Sequence, residues 1–264
     1  MKDLSSLELF FFALSMNLGR YLIIAGIFFF LFYIIFRQRW FFKKIQPKYP
    51  SRKDYQREIL YSIISMTIFA FIAIVMIKSP LSQFTLRYDS IDKIGWFYWA
   101  FSIILMIFLH DAYFYWTHRA MHHPRLYNKI HSIHHHSLNP SPWAAFAFHP
   151  IEGFIQAGII VPICLLIPFH VSALIVFLLF MTIYNAYGHL GFELYPKTFH
   201  KTIIGKWINT SISHNQHHEK FHGNYGLYFL FWDRWMGTIR EDYNKAYDLS
   251  SDKKLREFIV FHFF

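Results

Sequence analysis

Cysteine and acidic residues are both scarce in this sequence. One cysteine, Cys164, stands in 264 residues, and it lies inside an apolar run. A single cysteine excludes an intramolecular disulfide framework and leaves no thiolate cluster for a metal ion. Sixteen Asp and Glu accompany 26 Lys and Arg, and charged residues of both signs make up only 16% of the chain. An ordinary soluble domain carries about 25% charged residues, so this composition is atypical of one.

Apolar and aromatic residues take the place of the missing charge. The hydrophobic fraction is 55%, the aromatic fraction is 22%, and there are 32 Phe. This composition is typical of a chain that faces lipid. The net charge of +10 could indicate nucleic acid. The basic residues gather beside apolar runs instead, where membrane topology and anionic headgroups explain them. We therefore expect an integral membrane protein without a nucleic-acid partner.

Three long apolar segments predict full membrane spans. We place them at residues 21–36, 59–77 and 94–113, each near the length that a bilayer requires. Arg20 would then snorkel to the interface at the start of the first span. The segment 37–57 is dense in Lys and Arg and is expected to face the cytoplasm. Because the third span returns to that side, the histidine-rich segment after it should also be cytoplasmic.

Two shorter apolar runs follow, and they predict a helical hairpin. They cover residues 154–169 and 171–187, and Pro168 separates them. The predicted fold class is therefore all-α: a multi-pass membrane protein with about three full spans, this hairpin and a histidine-rich helical cap on the cytosolic face. We divide the chain into an N-terminal transmembrane region, a catalytic domain and a charged C-terminal tail, at residues 1–95, 96–240 and 241–264.

Histidine spacing is the strongest functional signal. The spaced sets are His118 with His122; His131, His134 and His135; and His214, His217 and His218. Residues four apart share a helical face, whereas the i+3 and i+4 side chains splay to opposite sides of residue i. One HxxHH turn can therefore serve two metal ions. Eight imidazoles suit two ions better than one, and imidazole fits zinc, copper, iron or nickel alike.

The motif segments together resemble the fatty acid hydroxylase/sterol desaturase superfamily of integral-membrane di-metal oxygenases. The resemblance covers about residues 96–240, in HDAYFYWTHRAMHH, HSIHHH, the HP-x-E of His149 to Glu152, GHLGFELYP, HNQHHEKFHGNYG and WDRWMGT. It implies two iron ions at the cytosolic membrane face, with O2 as co-substrate. The implied reaction is hydroxylation or desaturation of a C–H bond in a fatty acyl, sterol or related lipid taken from the bilayer.

Carried over residue by residue, the resemblance implies a set of histidine ligands. They are His118, His122, His131, His134, His135, His189, His214, His217 and His218. In the hydroxylase branch the partner of the first histidine can stand five residues on, which makes His123 an alternative to His122 or a ligand beside it. His110 and His222 adjoin the motifs as possible additional ligands.

All-histidine ligation leaves carboxylates to orient the imidazole N–H groups. The candidates for this supporting role are Asp111, Glu193, Glu219 and Asp233, and His149 is a further supporting or structural candidate. A helix cap or an interfacial ion pair is the alternative interpretation of each carboxylate. His170 and His262 are predicted to have no part in the site.

Electrons for such a reaction must come from outside the motifs. The sequence has no HPGG-type haem motif, so we expect a separate donor of the cytochrome b5, ferredoxin or reductase type. Two other functions use the same residues: a membrane zinc hydrolase and, less compatible, a metal transporter. The surplus of histidines argues against the hydrolase, and their position after the span ends argues against the transporter.

Overall fold

The structure is a computed structural model that describes residues 4–251, and the regular secondary structure in this part of the chain is helical apart from three isolated β-bridges. The helices are α1 (Ser6–Phe29, continued by the π-helical turn Phe30–Ile35), α2 (Arg52–Lys78), α3 (Trp96–Met121), α4 (Pro124–Ile130), α5 (Ser132–His135), α6 (Pro150–Ala157), α7 (Ile160–Leu166), α8 (Val171–Gly188), α9 (Ser211–Lys220), α10 (Phe231–Trp235) and α11 (Tyr243–Ser251). Short 3-10 turns join them, among them Pro142–Phe146.

Four of these helices are long and apolar enough to cross a membrane: Ser6–Ile35, Arg52–Lys78, Trp96–Met121 and Val171–Gly188. Three overlap the predicted spans, and the fourth is the second arm of the predicted hairpin. The first arm is a shorter apolar stretch, Pro150–Leu166, broken between α6 and α7. The all-α, multi-pass class is confirmed.

The first helix begins much earlier than the sequence suggested. Ser5 and Glu8 form a capping box that starts α1, where we expected a span from residue 21. Arg20 therefore lies in the middle of the 30-residue helix and does not snorkel from its end. Its Nη2 donates to Asn17 Oδ1 in the same helix at 3.1 Å, and its Nε donates to Thr182 Oγ1 in α8 at 2.9 Å. The contact with α8 could not be predicted from the sequence around Arg20.

Helices α1, α2 and α8 surround the turn Pro142–Phe146, which follows the first histidine-rich segment. The carbonyl of Trp143 accepts hydrogen bonds from Tyr21 in α1 and Ser62 in α2. Buried Glu58 in α2 accepts a hydrogen bond from Ser141. These contacts fix the histidine-rich segment against the ends of the spans.

The remaining short helices cap one end of this bundle, where α3 and α8 end. The segment predicted as a charged tail contributes α11, whose Tyr243 and Tyr247 are fully buried and pack in one cluster with Ile212 of α9. Residues 252–264, including His262, lie outside the described part of the chain.

Candidate metal centre

Five histidines from three segments converge on one point. They are His118, His122, His131, His135 and His217, and one nitrogen from each lies within 4.8 Å of all the others. The Nε2 atoms of His118 and His131 are 3.1 Å apart, as are those of His122 and His217. The end of α3, the short helix α5 and helix α9 thus meet around one small volume, which we call the five-histidine group.

Four further histidines form an adjoining set, the four-histidine group: His134, His189, His214 and His218. His189 follows the last residue of α8, and its Nε2 lies 3.0 Å from that of His214, 3.2 Å from that of His218 and 3.4 Å from that of His134. All four side chains are buried. His189 therefore lies at the middle of this group, although no histidine three or four residues away in the sequence indicates that it is a ligand.

The two HxxHH turns divide their histidines between the groups in opposite ways. In the first turn, His131 and His135 enter the five-histidine group and His134 enters the other. In the second, His217 enters the five-histidine group, whereas His214 and His218 enter the other. The splay of i+3 against i+4 side chains on a helix accounts for this division.

Hydrogen bonds from Nδ1 to backbone carbonyls orient four of these rings. In the five-histidine group, Nδ1 of His118 lies 2.9 Å from the Tyr225 carbonyl and that of His217 lies 2.8 Å from the Gly223 carbonyl. In the four-histidine group, His189 and His218 contact the carbonyls of Asn185 and Ser137 in the same way. A carbonyl only accepts, so each Nδ1 carries the proton and each Nε2 presents a lone pair.

The converging Nε2 atoms are placed as the ligands of a shared cation would be. Burial, followed by the neighbouring imidazoles, lowers the pKa of His131, His214 and His217 well below the usual value, so these rings are neutral at pH 7. His189 and His218 both carry the proton on Nδ1, so their Nε2 lone pairs face each other at 3.2 Å and cannot form a hydrogen bond. Ligands bound about 2.1 Å from one ion lie about 3.0 to 3.4 Å apart, which is the spacing found here. The donor set fits two late first-row metal ions, one in each group.

Three predicted or possible ligands stand outside both groups. His123 is exposed, and its Nδ1 caps α4 by accepting from the Arg125 N–H. His110 is buried in α3, eight residues before His118, and its Nδ1 lies 2.9 Å from the Tyr228 hydroxyl. His222 is exposed beyond the end of α9. Of the pair left open by the sequence, only His122 is thus placed in a group.

Glu152 is the carboxylate that the sequence reasoning did not select. Its Oε1 lies 2.8 Å from His131 Nδ1, and both side chains are buried. His149, a supporting candidate, caps the start of α6 and so fixes the helix that carries Glu152. A signal existed, since Glu152 is the only acidic residue between Asp111 and Glu193. Contact with a ring 21 residues away, however, depends on the tertiary fold.

None of the four carboxylates proposed from the sequence makes a hydrogen bond to a ring of either histidine group. Asp111 accepts from the backbone N–H groups of Tyr228 and Phe229, and Asp233 accepts from that of Tyr225. They hold the segment whose Tyr225 carbonyl orients His118. Glu193 joins α8 to α9 through the Tyr187 hydroxyl and the Ile212 N–H, and it makes no hydrogen bond to a histidine in either group. Glu219 is exposed and pairs with Lys220.

Gly191 has a specific structural role beside His189. Its φ is +72°, and an added Cβ would lie 3.0 Å from both Lys44 Nζ and the Tyr33 hydroxyl. Gly188, by contrast, would place a Cβ 3.6 Å from the His214 ring, an ordinary contact. Of the two glycines flanking His189, only Gly191 is required for the close approach of the backbone.

Replacing Glu152 by glutamine should weaken metal binding in the five-histidine group. The amide cannot match a carboxylate as acceptor for His131, and loss of such a partner costs about 10- to 100-fold in metal affinity. Metal content after competition with a chelator measures the effect. Glu219→Gln is the matched control, because that side chain is exposed and touches no ring. Equal metal retention in the two variants would show that the Glu152 contact is not needed.

The fold and this paired histidine site define an integral-membrane metal-site protein, and sequence comparison names its family. Residues 103–238 match the family model described as fatty acid hydroxylase. The chain belongs to this family, within the fatty acid hydroxylase/sterol desaturase superfamily. None of the solved structures compared matches the chain significantly.

Named relatives are sterol-modifying proteins. The chain is 30% identical over 221 residues to "Delta(7)-sterol 5(6)-desaturase ERG3B" of Gibberella zeae, which covers 79% of this chain and 62% of that protein. It is 30% identical over 201 residues to "Lathosterol oxidase" of Rattus norvegicus, covering 73% of this chain and 64% of that protein. The chain thus spans slightly less than two thirds of either relative.

Proposed function

We propose that this chain is a membrane oxidoreductase that holds one iron ion in each histidine group and uses O2 to hydroxylate or desaturate a lipid C–H bond. The observation that carries the proposal is the convergence of nine imidazoles, eight of them buried, on two adjoining points at the end of four candidate spans. The metal pair would supply the electrons and oxidising power that no side chain has. The protein holds the rings neutral, oriented and away from bulk water.

A lipid substrate is supported by the surroundings of the two groups. The Phe148 ring lies 5.2 Å from the His134 ring, and the Phe114 ring lies 4.9 Å from the His118 ring. Both phenylalanines belong to the buried apolar cluster between the spans. An apolar substrate entering from the bilayer would meet this cluster before the histidines. The names of the relatives favour a sterol or a comparably large lipid.

A separate electron donor would approach from the solvent, on the side of the histidines away from the apolar cluster. A cleft of about 500 Å³ reaches His135 there, and Arg57, Tyr127, Asn128, Ser132, His136, Leu138 and Phe221 line the rest of it. The cleft opens to solvent, so a separate protein could reach His135 through it. Cytochrome b5, ferredoxin and reductase types all remain candidates for this role.

A zinc hydrolase remains the second candidate, and the ligand count separates the two. A hydrolytic zinc site keeps three protein ligands and an open position for water. Here each group offers four or five nitrogens. Metal analysis of protein from iron-replete cells should find about two iron atoms per chain under the di-iron proposal. Tightly bound zinc and a colourless protein would support the hydrolase instead.

The reaction itself is tested by comparing the lipids of a host with and without this chain. We expect a species that is 16 mass units heavier or 2 lighter than its precursor, as oxygen insertion or desaturation requires. His217→Ala supplies the matched control, because it removes a nitrogen from the five-histidine group and leaves the spans intact. Products of lipid hydrolysis without oxidised species would reject the oxidoreductase.

The cytoplasmic orientation of the site is tested by labelling single cysteines at positions 52, 129 and 220. These positions lie at the start of α2, near the end of α4 and at the end of α9. Since Lys and Arg favour the cytoplasmic side, all three should react only with reagent added to that side. Reaction of position 129 from the other face would overturn the topology.

A further inference from the structure

Two segments of the cap expose large apolar side chains outside the four candidate spans. Ile203 is 82% exposed and Ile204 is 71% exposed, in the connection between α8 and α9. Trp235 is 62% exposed at the end of α10, and Met236 beside it is 40% exposed. We call these four residues the apolar patch. Exposed apolar side chains gathered in this way mark an interaction surface.

The two segments adjoin and are held by specific contacts. The Trp207 N–H donates to the Ile204 carbonyl, and the Trp207 carbonyl accepts from the Leu230 N–H just before α10. Arg234 Nε donates to the Lys206 carbonyl at 2.7 Å. At Gly205 an added Cβ would lie 1.9 Å from the Phe199 carbonyl oxygen, so the turn is tightly built. The exposure of the isoleucines is therefore a property of a fixed turn.

The patch continues the lipid-facing surface of α3. Phe108 in that span is 49% exposed, and its ring stacks on the Phe229 ring at 5.2 Å. The row of rings then runs from Phe229 to Phe231 at 4.9 Å and to Trp235 at 5.7 Å. A row of ring contacts thus joins the exposed face of this candidate span at Phe108 to Trp235 in the patch.

Basic side chains border the patch, as expected at a headgroup layer. Lys206 Nζ lies 5.4 Å from the Trp207 ring centre, and the Arg234 guanidinium lies 5.7 Å from it. The nearest acid in sequence, Asp233, is buried and engaged by backbone N–H groups. Tryptophan with Lys and Arg is the combination that favours the membrane–water interface.

We propose that the apolar patch is a lipid-binding surface, which inserts into the headgroup region of the bilayer at the end of α3 that carries His118. Lys206 and Arg234 would contact the phosphates. The chain runs from Trp207 through Ile208, Asn209 and Thr210 directly into α9, and Asn209 N–H donates to the Tyr228 carbonyl. Binding of the patch to the bilayer therefore fixes the position of α9 and its three histidines relative to the membrane surface. The proposal needs only the membrane location, whatever reaction the metal centre performs.

The test places an environment-sensitive dye at a cysteine replacing Ile204, in a Cys164→Ala background, and reconstitutes the full chain in nanodiscs. We expect blue-shifted emission, at least about twofold quenching by phospholipids brominated on the acyl chains, and protection from iodide. Leu126→Cys in α4 is the matched control. Leu126 is also exposed, but it lies beyond the end of α3, so its dye should stay accessible to iodide.

Two outcomes would overturn the proposal. Iodide access without bromolipid quenching at position 204 would overturn it. Blue-shifted emission that grows with protein concentration, together with cross-linking between chains and no bromolipid quenching, would assign the patch to a contact between copies and would also overturn it. Trp235→Cys repeats the measurement on the other segment, so that poor folding of one variant leaves a decisive result. Unchanged metal content shows in each case that the fold is intact.

Discussion

Replacing His189 by alanine is expected to empty the four-histidine group and to lower turnover by at least about 100-fold. Loss of a hydrogen-bond partner behind a ligand already costs 10- to 100-fold, and loss of the ligand itself should cost more. His189 Nε2 lies within 3.4 Å of the Nε2 atoms of the other three members, so its removal leaves a gap in the middle of the set. Metal content per chain and turnover of lipid measure the two effects.

The matched control lies at the other end of the same helix. His170 precedes α8, and its Nδ1 accepts from the Ser172 N–H as a helix cap. His170→Asn preserves a good capping residue, so metal and activity should stay at the parent level. Both variants must insert and express equally. Full iron and normal turnover in His189→Ala would make His189 structural, and the four-histidine group would then need another ligand.

Three consecutive histidines allow a sharper test of two separate ions. His134→Ala leaves three nitrogens in the four-histidine group, whereas His135→Ala leaves four in the five-histidine group. We therefore expect His134→Ala to retain about one ion per chain and His135→Ala to retain nearly two, the second one held more weakly. Activity should fall at least about tenfold in both, because either change disturbs one half of the pair.

His136 completes this comparison as an internal control. Its side chain is exposed, and the contact that it makes to Arg57 uses the backbone carbonyl, which alanine retains. His136→Ala should leave the metal content unchanged, because its side chain belongs to neither histidine group. Metal analysis before and after exposure to a chelator separates the three variants. Identical losses in His134→Ala and His135→Ala would contradict the assignment of neighbouring residues to different ions.

Much of the candidate site follows from local sequence. A helix fixes the directions of side chains three and four residues apart, so the pattern of His131, His134 and His135 already divides them between two sides. The length of the apolar runs indicates the spans in the same local way, and the structure confirms that class. The choice between His122 and His123 depended on where α3 ends and where Pro124 starts a new helix. That boundary is a property of the fold.

Only the tertiary structure decided which distant parts of the chain are in contact. The contact of Glu152 with His131, the central place of His189 and the polar partner of Arg20 in α8 all join residues that sequence periodicity cannot relate. The sequence by itself determined that this is a helical membrane protein with histidines presented in two HxxHH turns. Periodicity constrains neighbours within a few turns, whereas long-range pairing depends on how whole helices pack, because burial of their apolar faces is non-directional.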